Sequence, residues 1–235
     1  MSASPAGTAD DLATQLVAHS LACAFLSRLT YEEPSAELLG DLTAEGLPDA
    51  WSVRPQDPGI VDGLALLHEA LSTWGPTEVA GLRRDYRRLF VGPGKVLAPP
   101  WESVYLSADH LVFDKQTSAV RGLYAQFGLR APNLRREPDD HLGLELAFMV
   151  HLGTSAIAAL ERADEGALSS LLGAQRAFLG EHLVRWAPAC FARIEEHADT
   201  AYFRGVARLG EGTLRGMASD LGVPERNGSS GGAHA

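Results

Sequence analysis

The chain has 235 residues, of which 46% are hydrophobic and 21% charged, with a formal net charge of -10. That is enough chain and apolar content for one large or two small domains with a hydrophobic core, and it excludes wholesale disorder. The acidic balance argues against nucleic acid as the main partner, since phosphate binding calls for a basic surface, and it suits basic ligands, including basic peptides.

Two cysteines, Cys23 and Cys190, without C-x-x-C spacing, predict neither a disulfide framework nor a zinc site. The segment Met1–Asp11 lacks the basic and apolar regions of a signal sequence, and no run approaches the roughly 18–20 apolar residues of a membrane span. The expectation is a cytoplasmic protein that does not insert into membranes.

Helices follow one another along the chain. Leu12, Leu16, Leu21, Phe25 and Leu29 recur at helical intervals between Asp11 and Leu29, and Pro34 ends that helix. A short Leu-rich segment reaches about Glu45, and a loop with Pro48, Pro55 and Pro58 leads to a helix over Ile60–Trp74, broken by Gly75-Pro76. The next helix spans Thr77 to about Phe90. Val79, Leu82, Tyr86, Leu89 and Phe90 line one face of it, and Arg83, Arg84, Arg87 and Arg88 the other. Those arginines read either as a docking patch or as a solvated face.

The stretch Val91–Ser103 is too rich in Gly and Pro for a helix or a central strand, yet it carries Val96, Leu97 and Trp101. A loop with that content is expected to pack against the body and to build a binding site. A helix over Ala108–Phe127 and a second loop, Gly128–Glu137, follow. Pro138 is expected to open a helix that is apolar on two sides, with Asp139 or Asp140 as its cap. Helices near Gly166–Trp186, Pro188–His197 and Ala201–Leu221 complete the pattern. The prediction is all-α: a flexible 1–10, a single helical domain over 11–222 and a disordered tail over 223–235.

Motifs of common enzyme classes are absent: no P-loop, no G-x-G-x-x-G after a strand, no G-x-S-x-G and no H-E-x-x-H. His141 with Glu145 shares one helical face and, joined by His110 or His151, is the one candidate for a metal-dependent enzyme. His151, however, lies about 100° round the helix from His141, and a metal centre needs three or four convergent ligands. Glu137, Asp139 and Asp140 beside His141 exceed what a helix cap requires. They read either as a cap alone or as a cap that also recognises a cation such as a guanidinium.

Two motifs then combine. Tyr86-Arg-Arg-Leu89-Phe90 leads into Pro99-Pro100-Trp101-Glu102-Ser103, and Glu137-Pro138-Asp139-Asp140-His141 follows. In this order they resemble the TorD/DmsD family of redox-enzyme maturation chaperones, with its aromatic-x-x-Leu-Phe and Glu-Pro-x-Asp-His elements. The resemblance is strongest over Asp85–Leu152 and extends over about residues 10–222. It implies an all-helical chaperone, not an enzyme and without a cofactor of its own. Such a chaperone binds the twin-arginine signal peptide of a molybdenum oxidoreductase of the DMSO-reductase type and holds the apoenzyme until its cofactor is inserted. Carried over residue by residue, the peptide-binding set is Tyr86, Leu89, Phe90, Pro100, Trp101, Ser103, Glu137, Pro138, Asp140 and His141. The same resemblance allows monomers or helix-exchanged dimers, and a branch that assembles a non-exported nitrate reductase subunit. Glu102 and Asp139 depart from the common pattern. Independently of the resemblance, a cationic and apolar peptide needs acids, which Glu102, Glu137, Asp139 and Asp140 could supply. It also needs greasy walls, which Tyr86, Leu89, Phe90, Val96, Leu97 and Trp101 could supply, although Tyr86, Leu89 and Phe90 read equally as core.

Overall fold

Apolar residues at helical spacing can leave water only by packing helix on helix, and that is the architecture found. The computed structural model describes residues 5–46, 50–107, 115–132 and 137–224. Among them lie ten helices: α1 (Pro5–Tyr31), α2 (Ala36–Glu45), α3 (Pro58–Ser72), α4 (Pro76–Tyr86), α5 (Glu102–Leu106), α6 (Lys115–Gln126), α7 (Leu142–Glu161), α8 (Glu165–Phe178), α9 (Val184–His197) and α10 (Ala201–Asp220). Two π-turns, Arg87–Val91 and Leu179–Leu183, extend α4 and join α8 to α9. The fold is all-α, a single domain, with no strand among the described residues.

Two helix pairs carry the core: α1 lies along α7, and α3 along α10. The α1–α7 contact is close because α7 offers glycines where α1 crosses. A Cβ on Gly143 would lie 2.6 Å from the Tyr31 Cβ and 3.1 Å from the Ser27 carbonyl oxygen. The Ser27 hydroxyl donates to the Gly143 carbonyl at 2.7 Å across this seam. By length and hydropathy α1 (from Ala9) and α7 could each span a membrane, contrary to the reading that no run approaches that length. Here each buries much of its apolar surface on the other and on the core. The apolar character of α7 on two sides matches its central place, with Leu142, Leu146, Phe148, Met149 and Leu152 all buried.

Several local expectations change. Leu21 is 48% exposed, whereas Leu16, Phe25 and Leu29 are buried. The five-residue step from Leu16 to Leu21 turns a helix by about 140° off the buried stripe. Helix α1 already begins at Pro5, inside the stretch expected to be flexible. The expected break at Pro188 is absent: α9 runs through it and buries Trp186, Ala187, Cys190, Phe191 and Ile194. Burying several large side chains at ~1.5–3 kcal/mol each outweighs the ~3 kcal/mol that an interior proline costs. The expected helix start at Ala108 and the tail beyond Pro224 lie outside the described residues, but α6 covers the rest of that helix.

Both cysteines are free and buried, and burial pushes each thiol up to about 12. The arginines of α4 and its π-turn do lie at the surface, Arg83, Arg84 and Arg87 being exposed, and three of the four are also tied down. Arg83 donates to the Pro34 carbonyl at 2.8 Å, Arg87 pairs with Glu33 at 2.8 Å, and Arg88 bridges Asp85 and Asp199. They tie α4 to the α1–α2 connection and to the end of α9.

Candidate functional site

The π-turn widens α4 at its end, so that the Gly92 amide reaches the Arg87 carbonyl at 2.7 Å and the chain turns back. The Gly/Pro-rich loop then lies against the turn that launched it, the Ala98 amide donating to the Leu89 carbonyl at 2.9 Å. Ala98, Pro99 and Pro100 are buried, while Val96, Leu97 and Trp101 are half-buried. The expected packed loop is there, and it delivers Trp101 to the second motif.

The two motifs meet through backbone. Trp101 and His141 form an isolated antiparallel bridge: the Glu102 amide donates to the Asp140 carbonyl at 3.0 Å, and the Leu142 amide to the Pro100 carbonyl at 2.8 Å. Side chains reinforce it. Asp140 is fully buried and accepts from the Ser103 amide and from the Thr117 hydroxyl, both at 2.8 Å. Tyr124 donates to the Asp139 carbonyl at 3.1 Å. The Asp140 carboxylate therefore joins the loop, α6 and the start of α7.

Helix α7 starts at Leu142 rather than at Pro138, and its cap is His141, whose Nδ1 accepts from the Gly143 amide at 3.0 Å. Asp139 and Asp140, the expected caps, point elsewhere because residues 137–140 form a turn of their own. The His141 ring sits edge-on to Tyr31 at 5.0 Å and to Trp101 at 6.2 Å. Its place as cap and core side chain separates it from any shared ligation with Glu145. Among the described residues no group of three or more His, Cys, Asp or Glu is placed to hold a metal ion.

Burial pushes the His141 imidazole down to about 3. In the unfolded chain the group returns to its ordinary 6.5, so below that pH the unfolded state binds more protons. The stability this imparts is complete above pH 6.5 and is lost as the pH falls toward 3, by about 2 kcal/mol at pH 5. Glu145 titrates with the opposite sign, because burial, reinforced by the Glu102 charge, raises its carboxyl well above normal. His141→Asn keeps an acceptor for the Gly143 amide and removes the titration. Urea midpoints should then show the stability gap between wild type and variant moving in favour of the variant from pH 7 to pH 5. A gap independent of pH would refute a buried neutral His141.

Beneath the loop runs a second polar layer. Glu102, nearly fully buried, pairs with His182 Nδ1 at 2.8 Å, and Glu145 accepts from Trp186 Nε1 at 3.1 Å. The Glu102 side chain, one of the acids expected to meet a cationic peptide, thus points inward and anchors the loop on the π-turn before α9.

Of the ten residues carried over as peptide-binding, the structure brings seven together around this joint: Pro100, Trp101, Ser103, Glu137, Pro138, Asp140 and His141. Their exposure differs. Only Trp101 and Glu137 reach the surface, with Trp101 Nε1 donating to Glu137 Oε1 at 2.8 Å, while the other five are buried. Burial raises the Glu137 carboxyl, and the Trp101 bond partly offsets this. Tyr86, Leu89 and Phe90 are 7%, 0% and 2% exposed, and lie in the core. Tyr86 and Phe90 pack against Phe203, and the Tyr86 hydroxyl donates to the Tyr31 carbonyl at 2.9 Å. Their connection to the joint runs through Tyr31 and the loop, because the apolar face of α4 is also the face that packs on α10.

Beside the joint is a groove that sequence patterns did not reveal. One cavity of about 230 Å³ is lined by Arg121, Tyr124, Ala125, Leu129, Arg130 and Asp139. A second, of about 200 Å³, shares Tyr124, Leu129 and Arg130 and adds the apolar walls Leu144 and Phe148. Their walls come from α6, α7 and the loop after α6, and no spacing in one segment could announce their meeting.

A family model described as "Nitrate reductase delta subunit" matches residues 54–192. The chain is 33% identical over 164 residues to the "Chaperone protein TorD" of Vibrio cholerae serotype O1, covering 70% of each chain. It is 25% identical over 200 residues to the "Tat proofreading chaperone DmsD" of Salmonella typhi, covering 85% of this chain and 88% of that one. A Haemophilus influenzae protein with the name "Probable Tat proofreading chaperone DmsD" is 26% identical over 142 residues, and the match spans 63% of its length, a little under two thirds.

Proposed function

The chain belongs to the TorD/DmsD family of redox-enzyme maturation chaperones, and from that premise we propose that it binds the twin-arginine signal peptide of a molybdenum oxidoreductase of the DMSO-reductase type. It is a chaperone rather than an enzyme, as its relatives are named. On this reading it acts in the cytoplasm, holding the apo-subunit until its cofactor is in place and so preventing early export. It does so without a cofactor of its own and without nucleic acid.

The observation that carries the reading is the joint of the two motifs, which leaves one aromatic and one acid, Trp101 and Glu137, hydrogen-bonded to each other at the surface. A twin-arginine signal is a cationic end followed by an apolar stretch, and an indole beside a carboxylate at the surface offers a contact to each part. The buried members, Pro100, Ser103, Pro138, Asp140 and His141, hold that pair in place. Trp101→Ala should weaken binding of a twin-arginine peptide at least about tenfold with the fold intact, because a half-buried aromatic anchor contributes on the order of 2 kcal/mol. Calorimetry at low and high salt measures this. Unchanged affinity in Trp101→Ala, or affinity insensitive to salt, refutes the site.

The match to the nitrate reductase delta model favours a second reading, assembly of a subunit that is not exported. Capture of the client with and without its N-terminal segment separates the two: the signal-peptide reading requires that capture fail without the segment.

A further inference from the structure

Asp139 already holds a guanidinium, and that guanidinium belongs to a surface side chain. Arg121 leaves α6 with its side chain 45% exposed and reaches Asp139 Oδ2 with Nη2 at 2.6 Å and Nε at 3.0 Å. The ion pair raises the Arg121 pKa further. Both donors fall on one oxygen. The other, Oδ1, is buried in a side chain only 1% exposed and has no hydrogen-bond partner.

A buried carboxylate oxygen without a donor is an unfavourable arrangement, and a guanidinium presented fork-on would satisfy both oxygens at once. Arg121 instead places two N–H groups on the same atom. The pair opens on the cavity of about 230 Å³, several times the roughly 30 Å³ of one water, and that cavity continues into the apolar groove over Leu144 and Phe148.

The geometry points to Arg121 as an internal stand-in for a ligand's arginine: a peptide arginine displaces it from Asp139, and the apolar residues that follow lie in the groove over Phe148. This rests on the signal-peptide reading above and names its cation subsite. The exchange is guanidinium for guanidinium, so Asp139 never stands unpaired in the bound state, and Arg121 moves from a half-exposed position into water. Arg130 also lines the groove, so the subsite is not strongly acidic as a whole. Selection therefore falls to the fork at Asp139, which favours arginine over lysine.

The test is calorimetry of the full chain and of Arg121→Gln with two synthetic peptides. One carries two adjacent arginines before an apolar stretch, and the other has glutamine at both arginines. Removing the competitor should tighten binding of the arginine peptide about tenfold and leave the glutamine peptide unchanged. Equal or weaker binding of the arginine peptide by Arg121→Gln overturns the inference. Should that variant fail to fold, the Arg121 Nε–H resonance of the wild-type chain answers instead. On saturation with the arginine peptide it should move to the position and exchange rate of a solvent-exposed arginine, and an unmoved resonance overturns the inference. Binding by the wild type without any response at Arg121 removes only this subsite, whereas no binding by the wild type removes the signal-peptide reading and the subsite together.

Discussion

Asp140→Ala should lower the unfolding free energy by about 3–4 kcal/mol, the combined cost of leaving two buried donors without an acceptor. The donors are the Ser103 amide and the Thr117 hydroxyl, and both residues are sealed from water together with Asp140 itself. The change should appear as a lower urea midpoint at unchanged slope, since the surface exposed on unfolding hardly differs. Asp140→Asn, which keeps one oxygen acceptor but places an NH2 group opposite a donor, should lose about half as much. A stability loss below about 1 kcal/mol, together with lost peptide affinity, would mean that Asp140 serves the ligand directly and that the joint does not depend on it. The acid that resembles a ligand contact in the motif is, by this argument, the bolt that keeps Trp101 and Glu137 in register.

Phe90→Ala should be comparably costly, about 3–5 kcal/mol, as for other buried aromatics cut to alanine. The ring is 2% exposed and lies edge-on to Tyr86 at 5.1 Å and to Phe203 at 5.7 Å, so its removal opens a hole between α4 and α10. Thermal or urea unfolding measures the loss. Native-like stability with abolished peptide binding would overturn the core assignment and return Phe90 to the binding surface. Together with Trp101→Ala, the pair separates the two halves of the aromatic-x-x-Leu-Phe and Pro-Pro-Trp segment: the first should report on stability and the second on affinity.

Much of this was legible in the sequence. Helix after helix, a central α7 and a packed Pro-Pro-Trp loop follow from spacing and from residues that need special backbone. The motifs pointed to Trp101 and Glu137 because an exposed-type acid and a large aromatic in a rigid loop have few structural reasons to be there. The start of α7 was misplaced because a proline followed by two acids is a common helix opening, whereas here a histidine supplies the capping acceptor three residues after the proline. That arginines of this surface face are tied down was not legible, because the partners Pro34, Glu33 and Asp199 lie far away in sequence.

What the sequence determined by itself is the all-α class and the presence of the two motifs, since periodicity and turn chemistry act over a few neighbouring residues. What only the tertiary structure decided is which motif residues face inward. Asp140, His141 and Phe90 have side chains that would serve equally well on a surface, and only the chain crossing at the Trp101–His141 bridge sets their burial. The pairing of Arg121 with Asp139 belongs to the same class, because it needs α6 to pass beside the turn before α7. Burial and pairing are properties of segments brought together across the fold, and no local pattern encodes them.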